Sequence, residues 1–344
     1  MVAAGPAICD RRCRLYTRTQ ALSAGSTDDD LRGLVRTGRH LRLARGVYVD
    51  AAEAEGWDEH RYMLRVRAAA LRSGFVMTHV SAAVLHGLPL VRADLTEVHM
   101  TQVRYGGNRH RASRHVHSGF VSPEWLTTVD GIPVTCVART LADVAKTQSR
   151  LTAVSAADAA LHLGLCTYED IAAALAGIKR HRGAPRARQA LALADGRAES
   201  PGESWTRLAL THAELPATEL QIDVYDERGR FIGTADGGYP EHGVLWEYDG
   251  VAKYERLLRP GQSTVDTVLA EKNRENGFIE LGWSVVRIIN TDLGQPRELR
   301  DRMGRAAARS EHPGWLPPRG SWVIRDKTQR RPTPAERWFS LDRT

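Results

Sequence analysis

Apolar and polar positions along the first fifty residues fall into a regular order. In DDDLRGLVRTG, Leu31, Leu34 and Val35 recur at helical spacing and give one apolar side. Thr27 stands where an N-cap belongs. Asp28, Asp29 and Asp30 follow it in the first turn, where negative charge suits the helix dipole, and Gly38 ends the run. A shorter helix is expected before it in TRTQALSAG, with a turn through Gly25 and Ser26. After it, LRLARGVYV alternates as a strand or tight hairpin does. Helix, turn, helix and β-wing make residues 1–55 the outline of a winged helix-turn-helix.

The pattern then changes. Residues 56–195 are rich in Ala and Leu and predict an α-rich middle domain, with helices at YMLRVRAAALRSG and RTLADVAKTQ and β-like pieces at LTEVHMT and GIPVTC. From AESPGES onward, residues 198–310 predict a third block in the order α-β-β-β-α-β. Residues 311–344, with Pro, Arg and scattered Trp, read as an extended tail with Trp anchors. The expected fold class is multidomain, combining α/β and α+β parts.

Composition narrows the function. A chain of 344 residues is long for one core, and 42% hydrophobic with 26% charged residues is ordinary for a globular protein. Cys9, Cys13, Cys136 and Cys166 are too few and scattered for a disulfide framework. No apolar run approaches the roughly 18 residues of a membrane span, and the N-terminus lacks a signal-peptide pattern, so a cytoplasmic protein without a membrane partner is expected.

The formal charge of +7 is modest, and its placement says more than its size. Between Leu31 and Val49 stand Arg32, Arg36, Arg39, Arg42 and Arg45 with no acid. The first three share helical spacing and the last two fall on the wing, a surface suited to DNA phosphates; a solvated arginine face is the plainer reading. RYGGNRHRASRHVHSG carries His110, His115 and His117, but its Gly- and Arg-rich setting reads as a basic loop rather than a metal site. His79 and His86 read as structural histidines. Arg139 and Asp143, four apart, read as a helical ion pair. No Gly-x-Ser-x-Gly elbow, P-loop or dinucleotide fingerprint occurs.

TADGGYPEHGVLWEYDGVAKYE gathers acids in this basic chain. Glu247 and Asp249, two apart on a strand, share a face, and Asp236 lies across the expected hairpin. Either these oxygens hold a hard cation such as Mg²⁺, or they are the solvated ends of a hairpin.

Two resemblances extend this reading. THVSAAVLHGLP, GIPVTCVARTLADVA and the wing LRLARGVYV resemble the AbiEi-type antitoxin family over about residues 15–180. That resemblance implies a winged helix that binds operator DNA and represses its own operon, and a following domain that contributes to action on a cognate toxin. ESPGES, Asp236, WEYDG, AEKNRE and LGWSVVRI resemble the Vsr-like branch of the PD-(D/E)XK nuclease superfamily over about residues 198–293. This implies a restriction-endonuclease-like core with Mg²⁺ held by Asp236, Glu247 and Asp249 and catalysis by Asp236, Glu247, Lys253 and Glu203. Asp249 stands where the general pattern has lysine, so the cationic role falls to Lys253 or Lys272. The expected function is DNA binding with a Mg²⁺-dependent endonuclease-like domain; the alternative is a non-enzymatic antitoxin or autorepressor whose last domain only binds.

Overall fold

The computed structural model describes residues 15–102, 109–111, 113–117, 121–250 and 264–325. They divide into two compact units, one of residues 1–156 with 164–193, the other of 157–163 with 194–344. The first sequence block and most of the second therefore fall within one unit, with residues 157–163 counted in the other. No described helix is long and apolar enough to cross a membrane.

In the first unit, β1 (Tyr16–Thr17), α1 (Arg18–Ser23), α2 (Asp28–Arg36), β2 (His40–Ala44) and β3 (Val47–Asp50) form two short helices and a sheet ordered β1-β3-β2. Both helices start in capping boxes, Thr17 with Gln20 and Thr27 with Asp30, so exposed amide donors at each N-terminus find local acceptors. Arg18 Nε donates to Asp28 across 2.7 Å and ties one helix to the next. Ala21, Leu31 and Tyr48 close the small core between helices and sheet. Thr37 caps α2 and Gly38 turns with φ +72°, so Arg39 lies past the helix rather than on its face.

The same unit continues with α3 (Asp58–Ser73), β4 (Val76–Met77), α4 (His79–Leu85), β5 (Val98–Thr101), β6 (Arg109–Arg111), β7 (Arg114–His117), β8 (Leu126–Val129) and β9 (Ile132–Thr135). Helices α5 (Val137–Thr147), α6 (Arg150–His162), α7 (Tyr168–Gly177) and α8 (Ala184–Leu191) follow, with α6 crossing into the second unit's residues. The strands form one six-stranded sheet, β6-β7-β5-β4-β9-β8. The α-rich middle part expected here has helices α3 to α8 and, beside them, this sheet of short strands. LTEVHMT and GIPVTC contain β5 and β9, while the other strands, two to four residues long, are too short for alternation to declare them. The basic loop expected around His115 and His117 is likewise strand, with β7 parallel to β5.

In the second unit, α9 (Pro201–His212), β10 (Glu219–Tyr225), β11 (Phe231–Tyr239), β12 (Val244–Asp249), α10 (Thr264–Glu280) and β13 (Ser284–Ile289) run in the order α-β-β-β-α-β. Two elements follow: α11 (Pro296–Ala307) and β14 (Ser321–Ile324). The sheet order is β13-β12-β11-β10-β14, with β12 and β13 parallel and the other pairs antiparallel. One face packs Leu210 of α9 and Leu299 and Met303 of α11 on Leu220, Trp246 and Ile288. The other packs Phe278 of α10 on Ile222, Ala235 and Leu245. Each fully buried Leu or Ile here contributes about 1.5–3 kcal/mol. The segment expected as an extended tail is, up to Arg325, partly a sheet strand: β14 pairs with β10 from Ser321 to Ile324.

Candidate functional site

Two surfaces carry the predicted site residues, one in each unit. In the first, Arg32 and Arg36 lie on α2, Arg39 in the turn after it, Arg42 on β2 and Arg45 in the β2–β3 turn. All five are exposed. They are not equivalent. Arg32 pairs with Asp29 and donates Nε to the Asp28 carbonyl at 3.2 Å, so its charge is already drawn toward the acidic start of the helix. Arg36, Arg39, Arg42 and Arg45 fall at the other end of α2 and on the hairpin, past Asp28–Asp30.

In the second unit, the ESPGES stretch builds the start of α9. Glu199 N donates to Glu203 Oε2 at 2.8 Å, Ser200 Oγ to Glu203 Oε1 at 2.7 Å, and Gln221 Nε2 to Glu203 Oε2 at 2.9 Å. Glu203 thus closes its own helix start. Burial, joined by the charge of Asp236, pushes its carboxyl well above the usual carboxylate range. Gly202 is required: a Cβ there would run into the Tyr248 ring. Tyr248 N in turn donates to Asp236 Oδ2 at 2.8 Å.

Gln221 has φ +56°, a left-handed conformation that costs a residue with a Cβ about 1–3 kcal/mol. Around it the strand changes sides. Leu220 packs with Leu210 and Trp246, whereas Ile222, two residues on, packs with Phe278 on the opposite face. The turn of the backbone is what lets Gln221 reach Glu203.

Glu247, 2% exposed, faces α10. Arg274 Nη2 donates to its Oε1 at 2.9 Å, and Arg287 Nη2 stands 3.9 Å from its Oε2. Arg287 also reaches Asp249 at 3.2 Å and Glu275 at 2.8 Å. The acids therefore meet guanidinium groups. Both arginines stand inside AEKNRE and LGWSVVRI, whereas Lys272, the alternative to Lys253 as the expected cation, is exposed on α10. Lys253 lies outside the described residues.

A hard divalent ion takes several oxygen ligands at once. Among the described residues, no three of Glu203, Asp236, Glu247 and Asp249 bring oxygens within 4.8 Å of one another. As placed, Glu247 and Asp249 are engaged by Arg274 and Arg287 as ion pairs rather than gathered as a Mg²⁺ ligand set.

Residues 73–193, from the end of α3 to the end of the first unit, match the family described as AbiEi antitoxin C-terminal domain. The chain is also 33% identical over 190 residues to Uncharacterized protein Rv2248 of Mycobacterium tuberculosis strain H37Rv, an alignment covering 55% of this chain and 67% of that one. Uncharacterized protein MT2308 of strain CDC 1551 matches with the same identity and coverage. The chain belongs to one family with these mycobacterial proteins. The AbiEi match takes in α5, where Asp143 is buried between Arg139 Nε at 3.0 Å and Lys146 Nζ at 2.6 Å. The expected Arg139–Asp143 pair is thus present, with a lysine added. Within the same domain, His86 Nε2 bonds the Thr135 carbonyl at 2.7 Å, a structural hydrogen bond as expected.

Proposed function

We propose that this protein is a DNA-binding regulator of the toxin–antitoxin kind. In this reading β1 to β3 with α1 and α2 act as a winged helix, and the AbiEi antitoxin domain meets a cognate toxin. The observation that carries it is the exposed arginine set Arg36, Arg39, Arg42 and Arg45, spread over one helix end and the hairpin with no acid among them. Such a set neutralises phosphates on either side of a groove while the helix enters it. The AbiEi match supports the regulatory role and the toxin partner. Fluorescence anisotropy with a duplex from the gene's own upstream region tests it. Tight, salt-sensitive binding that falls at least about tenfold in the double variant R36A/R42A is expected; equal binding by wild type and variant removes the assignment.

A second reading, a Mg²⁺-dependent DNA endonuclease in the C-terminal unit, draws on the α-β-β-β-α-β order and on buried Glu203 beside Asp236. The guanidinium partners of Glu247 and Asp249 favour a binding module instead. Plasmid and oligonucleotide incubation with Mg²⁺ separates the two. Cleavage that disappears in Glu247→Ala and Asp236→Ala would install the enzyme.

A further inference from the structure

Four histidines meet on one face of the six-stranded sheet. His99 on β5 pairs in register with His115 on the parallel strand β7, and His117, two residues along, points to the same side. His79, the first residue of α4, lies over them. His99 Nδ1 and His117 Nε2 are 2.9 Å apart. The His79 ring stacks on that of His117 with centroids 4.0 Å apart, and the His115 ring stacks on His117 at 3.8 Å. One ring nitrogen each from His79, His99 and His117 all lie within 4.8 Å of one another, the one such group of three among the described residues.

We propose that His79, His99 and His117 form a binding site for a divalent transition metal of the Zn²⁺ class. Three imidazole nitrogens with no carboxylate among them suit Zn²⁺, Cu²⁺ or Ni²⁺ and not Mg²⁺ or Ca²⁺. Zn–N bonds of about 2.0–2.1 Å in a tetrahedral centre set ligand nitrogens about 3.3 Å apart. The His99–His117 pair is close to that spacing; His79 has to tilt off its stack to join. His79 also holds φ +55°, a strained conformation at the very residue that brings its ring over the sheet.

The surrounding charges do not exclude a cation. Arg139 and Lys146 lie near His79, but both are bound to the buried Asp143. Glu97 adds a carboxylate 3.8 Å from His115 Nδ1, which further favours positive charge nearby. His115 is a neighbour that orients His117 rather than a ligand. Three protein ligands leave a fourth position for water or for a group from a partner.

Untagged full-length protein, stripped with a chelator, is titrated with Zn²⁺ by calorimetry and with Co²⁺ by visible absorption. About one ion per chain and a Co²⁺ spectrum of nitrogen ligation are expected. H99Q and H117Q should each weaken binding by at least about tenfold, while H60Q, whose ring bonds the Glu53 carbonyl, should match wild type. Circular dichroism checks that each variant is folded, and the wild-type Co²⁺ spectrum decides even if a variant is not. No saturable binding, undiminished binding in H99Q and H117Q, or an equal loss in H60Q overturns the site.

Discussion

Arg274 of α10 donates to the buried Glu247 of β12 across 2.9 Å, joining a helix to a strand 27 residues earlier. Removing the arginine leaves a buried carboxylate short of its closest cation. Arg274→Ala should destabilise the second unit by about 1–3 kcal/mol, read as a shift in the urea midpoint. In a Glu247→Gln background the same change should cost clearly less. Equal costs in both backgrounds would mean that the pair contributes nothing.

Salt dependence separates the arginines of the first unit. Each phosphate that a variant no longer neutralises flattens the slope of log K against log[salt] by about 1. Arg36→Ala and Arg42→Ala should each show that drop on the upstream duplex. Arg32→Ala should change the slope less, because Asp29 and the Asp28 carbonyl already engage its side chain.

Gly202 admits no side chain beneath Tyr248. Gly202→Ala should cost about 1–3 kcal/mol through overpacking, and Tyr248→Leu in the same chain should recover part of the loss. Thermal denaturation of the two single variants and the double checks this; additive losses would place the clash elsewhere.

Asp158 gives a pH signature. It is buried with Arg207 Nη2 at 2.8 Å and Asp195 N at 2.6 Å, and burial outweighs these partners and pushes its carboxyl up to about 6. An acid whose folded value exceeds its unfolded value, near about 3.9, holds its proton longer in the folded state. Its contribution to stability is therefore full below about pH 4 and is lost as pH rises through about 6. Wild type should lose stability relative to Asp158→Asn over that window, measured as the difference in Tm between the two from about pH 4 to about pH 7. A constant difference would show that Asp158 stays ionised throughout.

Local features were legible and remote pairings were not. Thr27 and Asp30 announce the start of α2 because a capping box lies within four residues, and Gly38 marks its end. The strands of WEYDG and LGWSVVRI are apolar and long enough to be found. The β6–β7 hairpin hid because its strands are three and four residues, mostly of Arg and His. α11 hid behind a charged sequence whose apolar side is little more than Leu299 and Met303. The carboxylates of Glu247 and Asp249 were found, but their partners were not. Which cation meets a strand acid depends on the parallel register that sets Glu247 beside Arg287, and spacing along the chain does not contain that register. His79, His99 and His117 were each visible, and only the β5–β7 pairing brings them together.

β14 supplies the outermost strand from a segment that follows α11. Its hydrogen bonds run along β10, Arg325 N donates to the Gln221 carbonyl at 2.9 Å, and the Arg325 guanidinium grips Asp223 at 2.7 Å. A fragment cut after β13, where the α-β-β-β-α-β order is already complete, would leave β10 with a bare row of amides and carbonyls. Such an edge recruits strands from other molecules. Shortened versions of this unit should therefore present the seven-residue edge of β10 in place of the four-residue edge of β14, and associate more readily than the full chain.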